Sequence, residues 1–120
     1  MATKLPQNIE AETIVLGLMI TSRKCLAEGV SGLTRDNFHK KSYALIFDGI
    51  HSLFEAGRDV SLITLTEKLK SVNSLSAAGG TLKLGELVEA SISDTEFSTY
   101  VEILQEKILR ETSLKPQTIL

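Results

Sequence analysis

Residues 6–20 read Pro6-Gln7-Asn8-Ile9-Glu10-Ala11-Glu12-Thr13-Ile14-Val15-Leu16-Gly17-Leu18-Met19-Ile20, and this stretch decides the fold class. Pro6 holds the residue before it extended and has no place inside a helix. Asn8 is an N-cap residue whose side chain accepts backbone N–H bonds. Glu10 and Glu12 fall in the first turn, where the positive end of the helix dipole favours carboxylates. From Ile9 to Ile20 apolar side chains cover most of the circumference, which places such a helix at the centre of a bundle. Gly17 costs about 1 kcal/mol against Ala in a helix interior, and a close neighbouring helix is the expected reason for it. Residues 1–7 read as an extended arm.

Outward from this core helix, the pattern stays helical. A short helix is expected from Ser22 to Glu28, ended by Gly29, followed by a connector over 30–38 with Leu33 and Phe38 as core anchors. Tyr43, Ile46, Phe47, Ile50, Leu53 and Phe54 form one stripe on a helix from Lys41 to Ala56, and Gly57 supplies its stop. Ser61 caps a helix to about Ser71 that carries Leu62, Leu65, Leu69 and Val72 on one face. Gly79-Gly80 marks a sharp reversal through positive φ. Thr81 is expected to cap the next helix, with Leu84, Leu87 and Val88. Ser93 and Asp94 precede a last helix bearing Phe97, Tyr100, Val101, Leu104 and Ile108 on one side, and Pro116 excludes its simple continuation. No strand pattern, solenoid repeat or low-complexity linker is present. The expected fold is all-α, a compact bundle of about six helices. Its parts are an arm over 1–7, a helical head over 8–92, and a terminal helix with a truncated tail over 93–120.

Composition narrows the function classes. The 120 residues are 42% hydrophobic but only 5% aromatic, with no Trp, so the core is mostly aliphatic, which suits helices better than a β-sandwich. A net charge of −2 without a basic stripe argues against a domain that grips DNA by itself. Arg23-Lys24 and Lys40-Lys41 read as solvated surface charge. Cys25 is the single cysteine, so an internal disulfide is excluded; it reads as a small packing residue, and its solitude fits a reducing compartment. With no membrane-length apolar run and no signal-peptide pattern, the expected location is cytoplasmic.

Catalytic chemistry needs convergent groups. His39 and His51 are the first candidates, but neither has a second histidine three or four residues away, so both read as solvated. Glu10 and Glu12, two apart, do not share a helix face. Glu102 and Glu106 do, but Lys107 and Glu111 continue a mixed charge row. No Gly-x-Ser-x-Gly elbow, His-Glu-x-x-His motif, dinucleotide loop or P-loop occurs. No catalytic, cofactor-binding or metal-binding residue is therefore assigned. What remains is surface. Leu45 lies opposite the Tyr43/Ile46/Phe47/Ile50 stripe, although a lone exposed leucine is ordinary. Ile103 and Leu109 lie away from the Phe97/Val101/Leu104/Ile108 side, and a terminal helix that is apolar on more than one side calls for another partner, such as a second subunit.

Several strings, in order, carry a family resemblance. Pro6, Glu10, Ala11, Glu12, Val15, Leu16 and Gly17 match an opening pattern Pro-x-x-x-Glu-Ala-Glu-x-x-Val-Leu-Gly. Phe38, Ile46-Phe47 and Leu53 match a central helix, with Tyr43 standing where that family usually has His. Ser61-Leu62-Ile63-Thr64-Leu65 is similar to a stretch that usually begins with Asp, an equally good N-cap. Ala78-Gly79-Gly80, Leu84 and Leu87 fit a Gly-Gly block, and Tyr100-x-x-Ile103-Leu104-x-Glu106-Lys107-x-x-Arg110 resembles the first helix of a terminal hairpin. From Pro6 to about Arg110 the chain resembles the N-terminal domain of the bacterial replicative DNA helicases of the DnaB family.

The resemblance implies a non-catalytic collar domain of a hexameric ATP-dependent helicase, packing as pairs within the ring and helping to dock primase and a helicase loader. ATP and Mg would belong to the absent motor domain, and DNA would be met only through the ring. The last helix would be the first half of the terminal hairpin. Its second helix is expected after Arg110, where this chain instead reads Glu111-Thr112-Ser113-Leu114-Lys115-Pro116 and closes at Leu120, so the resemblance implies a fragment. Leu45, Ile103, Lys107, Leu109 and Arg110 are the candidate contacts with a partner or a second copy. The alternative class is a stand-alone all-α DNA-binding regulatory domain, which needs a recognition helix rich in Arg, Lys, Asn or Gln; the Lys40-Lys41 helix start is the best site it offers. A small hydrolase lacks any nucleophile constellation.

Overall fold

The computed structural model describes residues 9–91 and 93–113, with side chains through Glu106. Among the described residues there are six α-helices and no strand: α1 Ile9–Thr21, α2 Arg23–Gly32, α3 Lys41–Glu55, α4 Leu62–Ser71, α5 Gly80–Ala90 and α6 Phe97–Ser113. Two 3₁₀ turns, Arg35–Asn37 and Asp94–Glu96, lead toward α3 and α6. The expectations for Pro6, Asn8, residues 1–7 and Pro116 fall outside the described residues.

α1 is the axis of the molecule. Ala11, Glu12 and every residue from Ile14 to Ile20 are buried, and α2, α3, α5 and α6 all pack on it. An all-round apolar sequence thus finds all-round partners. Gly17 is where α5 comes closest, since a Cβ there would lie 2.2 Å from the Leu87 carbonyl oxygen. The expected close approach is present.

α2 differs from expectation at its end. Gly29 does not stop the helix, which runs on to Gly32. A Cβ at Gly29 would stand 2.7 Å from the Met19 sulfur, so this glycine admits a core side chain instead of turning the backbone. Leu33 and Phe38 are buried as expected.

α3 buries Tyr43, Ala44, Ile46, Phe47, Gly49, Ile50 and Leu53. Phe54, expected on the same stripe, is exposed instead, one residue before the helix ends. Gly57 takes φ +73°. The Gly57 N–H donates to Phe54 O at 3.0 Å and the Arg58 N–H to Leu53 O at 2.9 Å, a Schellman closure.

α4 opens with a capping box in which Thr64 N–H donates to Ser61 Oγ at 3.2 Å and Ser61 N–H to Thr64 Oγ1 at 2.8 Å. Leu65 and Leu69 are buried, whereas Val72, expected on that face, is exposed. Its end repeats the Schellman pattern with Asn73 at φ 56°, and Ser74 N–H donates to Leu69 O at 2.8 Å. Gly79 and Gly80 both take positive φ, so the reversal is where the sequence placed it. The N-cap of α5 is Gly79 rather than Thr81, which lies inside the first turn because Gly80 is already helical in its pairing.

α6 contributes Phe97, Val101 and Leu104 to the same core as α1. No helix among the described residues is long and apolar enough to cross a membrane.

Candidate interaction surface

Buried polar side chains tie the elements together. Glu12 is 0% exposed. Its Oε2 accepts the His39 N–H at 2.8 Å and its Oε1 the Lys40 N–H at 3.3 Å. Lys40, the N-cap of α3, has no side-chain cap bond of its own, so the α1 carboxylate satisfies the donors at that corner. One residue on, Thr13 Oγ1 donates to Ile9 O at 2.9 Å. That uses its only proton, so the 2.9 Å contact with Tyr43 is one in which the phenol donates. The Lys40 and Lys83 ammonium groups lie 4.9 and 5.8 Å from the Tyr43 ring centroid. The bond to Glu86, and secondarily the Tyr43 oxygen, hold the Lys83 pKa above its ordinary value.

A second set fastens α6. Asn37 is 4% exposed. Its Oδ1 accepts the Thr34 N–H at 2.7 Å and its Nδ2 donates to Leu104 O at 3.1 Å. Gln105 Nε2 donates to Gly32 O at 2.7 Å, and the Ser98 hydroxyl donates to Glu28 Oε2 at 2.7 Å.

Cys25 is buried, and burial pushes its thiol pKa up despite the bond to Ser22, so it is a poor nucleophile. His51 Nε2 lies 3.8 Å from Glu55 Oε2 on an exposed edge of α3. His39 is exposed and contributes its backbone N–H to Glu12. Among the described residues no group of three or more His, Cys, Asp and Glu is placed to hold a metal ion.

Of the residues singled out for an interface, Leu45 on α3 and Ile103 on α6 are both half-buried and pack against the core, so each presents only part of its side chain. Lys107, Leu109 and Arg110 lie outside the residues whose side chains are described. Among the described residues the apolar side chains that stand out furthest are others: Ile63 on α4 at 74% exposed and Leu82 on α5 at 77%. Ile63 borders an open groove of about 380 Å³ that Leu53, Arg58, Thr64, Glu67 and Lys68 also line. Helical spacing alone had put neither residue forward: Ile63 sits beside Leu62 and Leu82 beside Thr81, off the stripes that mark the core. Glu12, Asn37 and Gln105 were also missed as organisers, since their partners are remote in the chain.

This architecture has known counterparts. Residues 4–106 match the family model described as the DnaB-like helicase N-terminal domain. The chain is 35% identical over 105 residues to the replicative DNA helicase DnaB of Rhodothermus marinus, covering 88% of this chain and 11% of that protein. It is 28% identical over 113 residues to the replicative DNA helicase DnaC of Bacillus subtilis, covering 94% of this chain and 25% of that protein. The crystal structure of the N-terminal domain of DnaB helicase from Mycobacterium tuberculosis superposes with a TM-score of 0.80 at 26% identity, covering 85% of this chain and 71% of that one. The sequence strings, the six-helix fold and the length of the match agree, and the chain belongs to the DnaB-like helicase N-terminal domain family.

Proposed function

We propose that this domain serves ring assembly and partner docking in a hexameric, ATP-dependent replicative DNA helicase, and that it catalyses nothing itself. The observation that carries the reading is the family match across residues 4–106. The chain spans 11% and 25% of the two helicases described above, so on this reading the motor lies in sequence beyond the matched region. ATP and Mg act in that motor; the sequence here has no Gly-x-x-x-x-Gly-Lys-Ser/Thr string to cradle a triphosphate. The domains pair within the ring through α6, primase and a helicase loader are the protein partners, DNA is met through the ring, and the setting is cytoplasmic. Ile103, half-buried on α6, and the Leu109 and Arg110 that follow in its sequence are the contacts offered for pairing.

Sedimentation equilibrium over a wide concentration range tests this. The 120-residue chain should show a mass that rises with concentration, and Ile103→Ala/Leu109→Ala should weaken that rise while the helical circular dichroism persists. A parent chain that stays monomeric throughout, or a variant that associates equally well, overturns pairing through α6. Nucleotide turnover by the purified chain overturns the non-catalytic role. Tight binding to short duplexes at moderate salt would favour the regulatory-domain alternative.

A further inference from the structure

The polar bonds between α6 and the head (α1–α5 and their connectors) have a geometry that apolar packing does not explain. Phe97, Val101 and Leu104 hold α6 in place by burial, which is non-directional and tolerates roll and tilt. Hydrogen bonds are directional and weaken steeply when misaligned. Two of them meet α6 at consecutive residues: Asn37 Nδ2 donates to the Leu104 carbonyl at 3.1 Å, and Gln105 Nε2 donates to the Gly32 carbonyl at 2.7 Å. The first runs from the head to the α6 backbone and the second from an α6 side chain back to the head. The Asn37 amide has one workable orientation, because a flipped group would aim its NH₂ at the Thr34 N–H that Oδ1 now accepts at 2.7 Å. At 4% exposure no bulk water substitutes for it. The connector that carries Asn37 is itself held, since Glu12 of α1 accepts the N–H groups of His39 and Lys40. A polar path therefore runs from the axial helix through the connector to α6.

We propose that Asn37 and Gln105 form a polar lock that fixes the angle of α6 on the head, so that head and α6 turn together as one rigid lever. α6 continues past the lock to Ser113, an arm of about 12 Å at 1.5 Å per residue. A tilt too small to disturb the core would be magnified at its far end. Both side chains are positioning residues, and the Ser98–Glu28 bond, which is exposed, is not part of the device. The lock belongs to the single chain, so a failure of the pairing reading leaves it standing.

Pulsed electron–electron distance measurement tests it, with spin labels at Leu82→Cys on α5 and Thr112→Cys near the end of α6, in a Cys25→Ala background. The parent should give one narrow distance. Asn37→Ala/Gln105→Ala should give a distribution roughly twofold wider or more while helix content holds, since these two directional bonds sharpen an angle that packing alone holds loosely. Ser98→Ala should stay narrow. A folded double variant as narrow as the parent, or equal broadening by Ser98→Ala, overturns the lock. Should the double variant fail to fold, Gln105→Ala alone decides: an unchanged width overturns the proposal and a broadened one supports it.

Discussion

Glu12 sits in the first turn of α1, where its charge suits the helix dipole, and it is nevertheless fully buried. A buried carboxylate is tolerated only with hydrogen-bond partners, and the His39 and Lys40 N–H groups supply them. Glu12→Ala would leave those donors without an acceptor, and chemical denaturation should show a loss of about 2–4 kcal/mol. Glu12→Gln keeps one acceptor and should lose less. Cys25 gives a pH signature. Burial raises its thiol pKa in the fold, whereas in the unfolded chain a thiol ionises near about 8.5. A raised folded pKa means that the contribution is whole below the unfolded value and is lost as pH rises toward the folded one. Melting temperature should therefore fall as pH rises above about 8.5, and Cys25→Ala should flatten that slope.

Helix ends and helix contacts obey different rules. The Ser61 cap and the Gly57 stop were legible because cap, turn and stop are written within a few residues of one another. Gly29 was not, because its role depends on Met19, a core side chain of another helix. Glu12 and His39 are 27 residues apart and Asn37 and Leu104 are 67 apart, distances at which no spacing rule speaks. Asn73 holds the left-handed position that ends α4. Asn73→Val should cost about 1–2 kcal/mol by strain, read as a lower denaturation midpoint at unchanged slope. Gly17→Ala tests the contact between α1 and α5. The new Cβ would meet a backbone carbonyl oxygen at 2.2 Å, and overpacking of that kind costs about 2–3 kcal/mol.

At the scale of the molecule, one apolar axis organises everything else. The all-α class was legible because Ile9–Ile20 is apolar over most of its circumference, as suits the centre of a bundle, and because no strand pattern competes with the helical ones. The surface was less legible: Leu45 and Ile103 are partly used by the core, while Ile63 and Leu82 stand out. Hydrogen exchange should rank the α1 amides among the slowest in the protein, opening only with global unfolding, and the α4–α5 turn around Asn73–Gly79 among the fastest. Fast exchange in α1 would show that its enclosure is breached by local motion.

The enclosure of α1 also sets an order of events in the cell. α1 leaves the ribosome ahead of the other five described helices, yet α6, which also packs on it, begins only at Phe97. Until α6 has been translated the nascent chain therefore carries a greasy helix still missing one of its covers, and apolar surface exposed in that way is prone to aggregate.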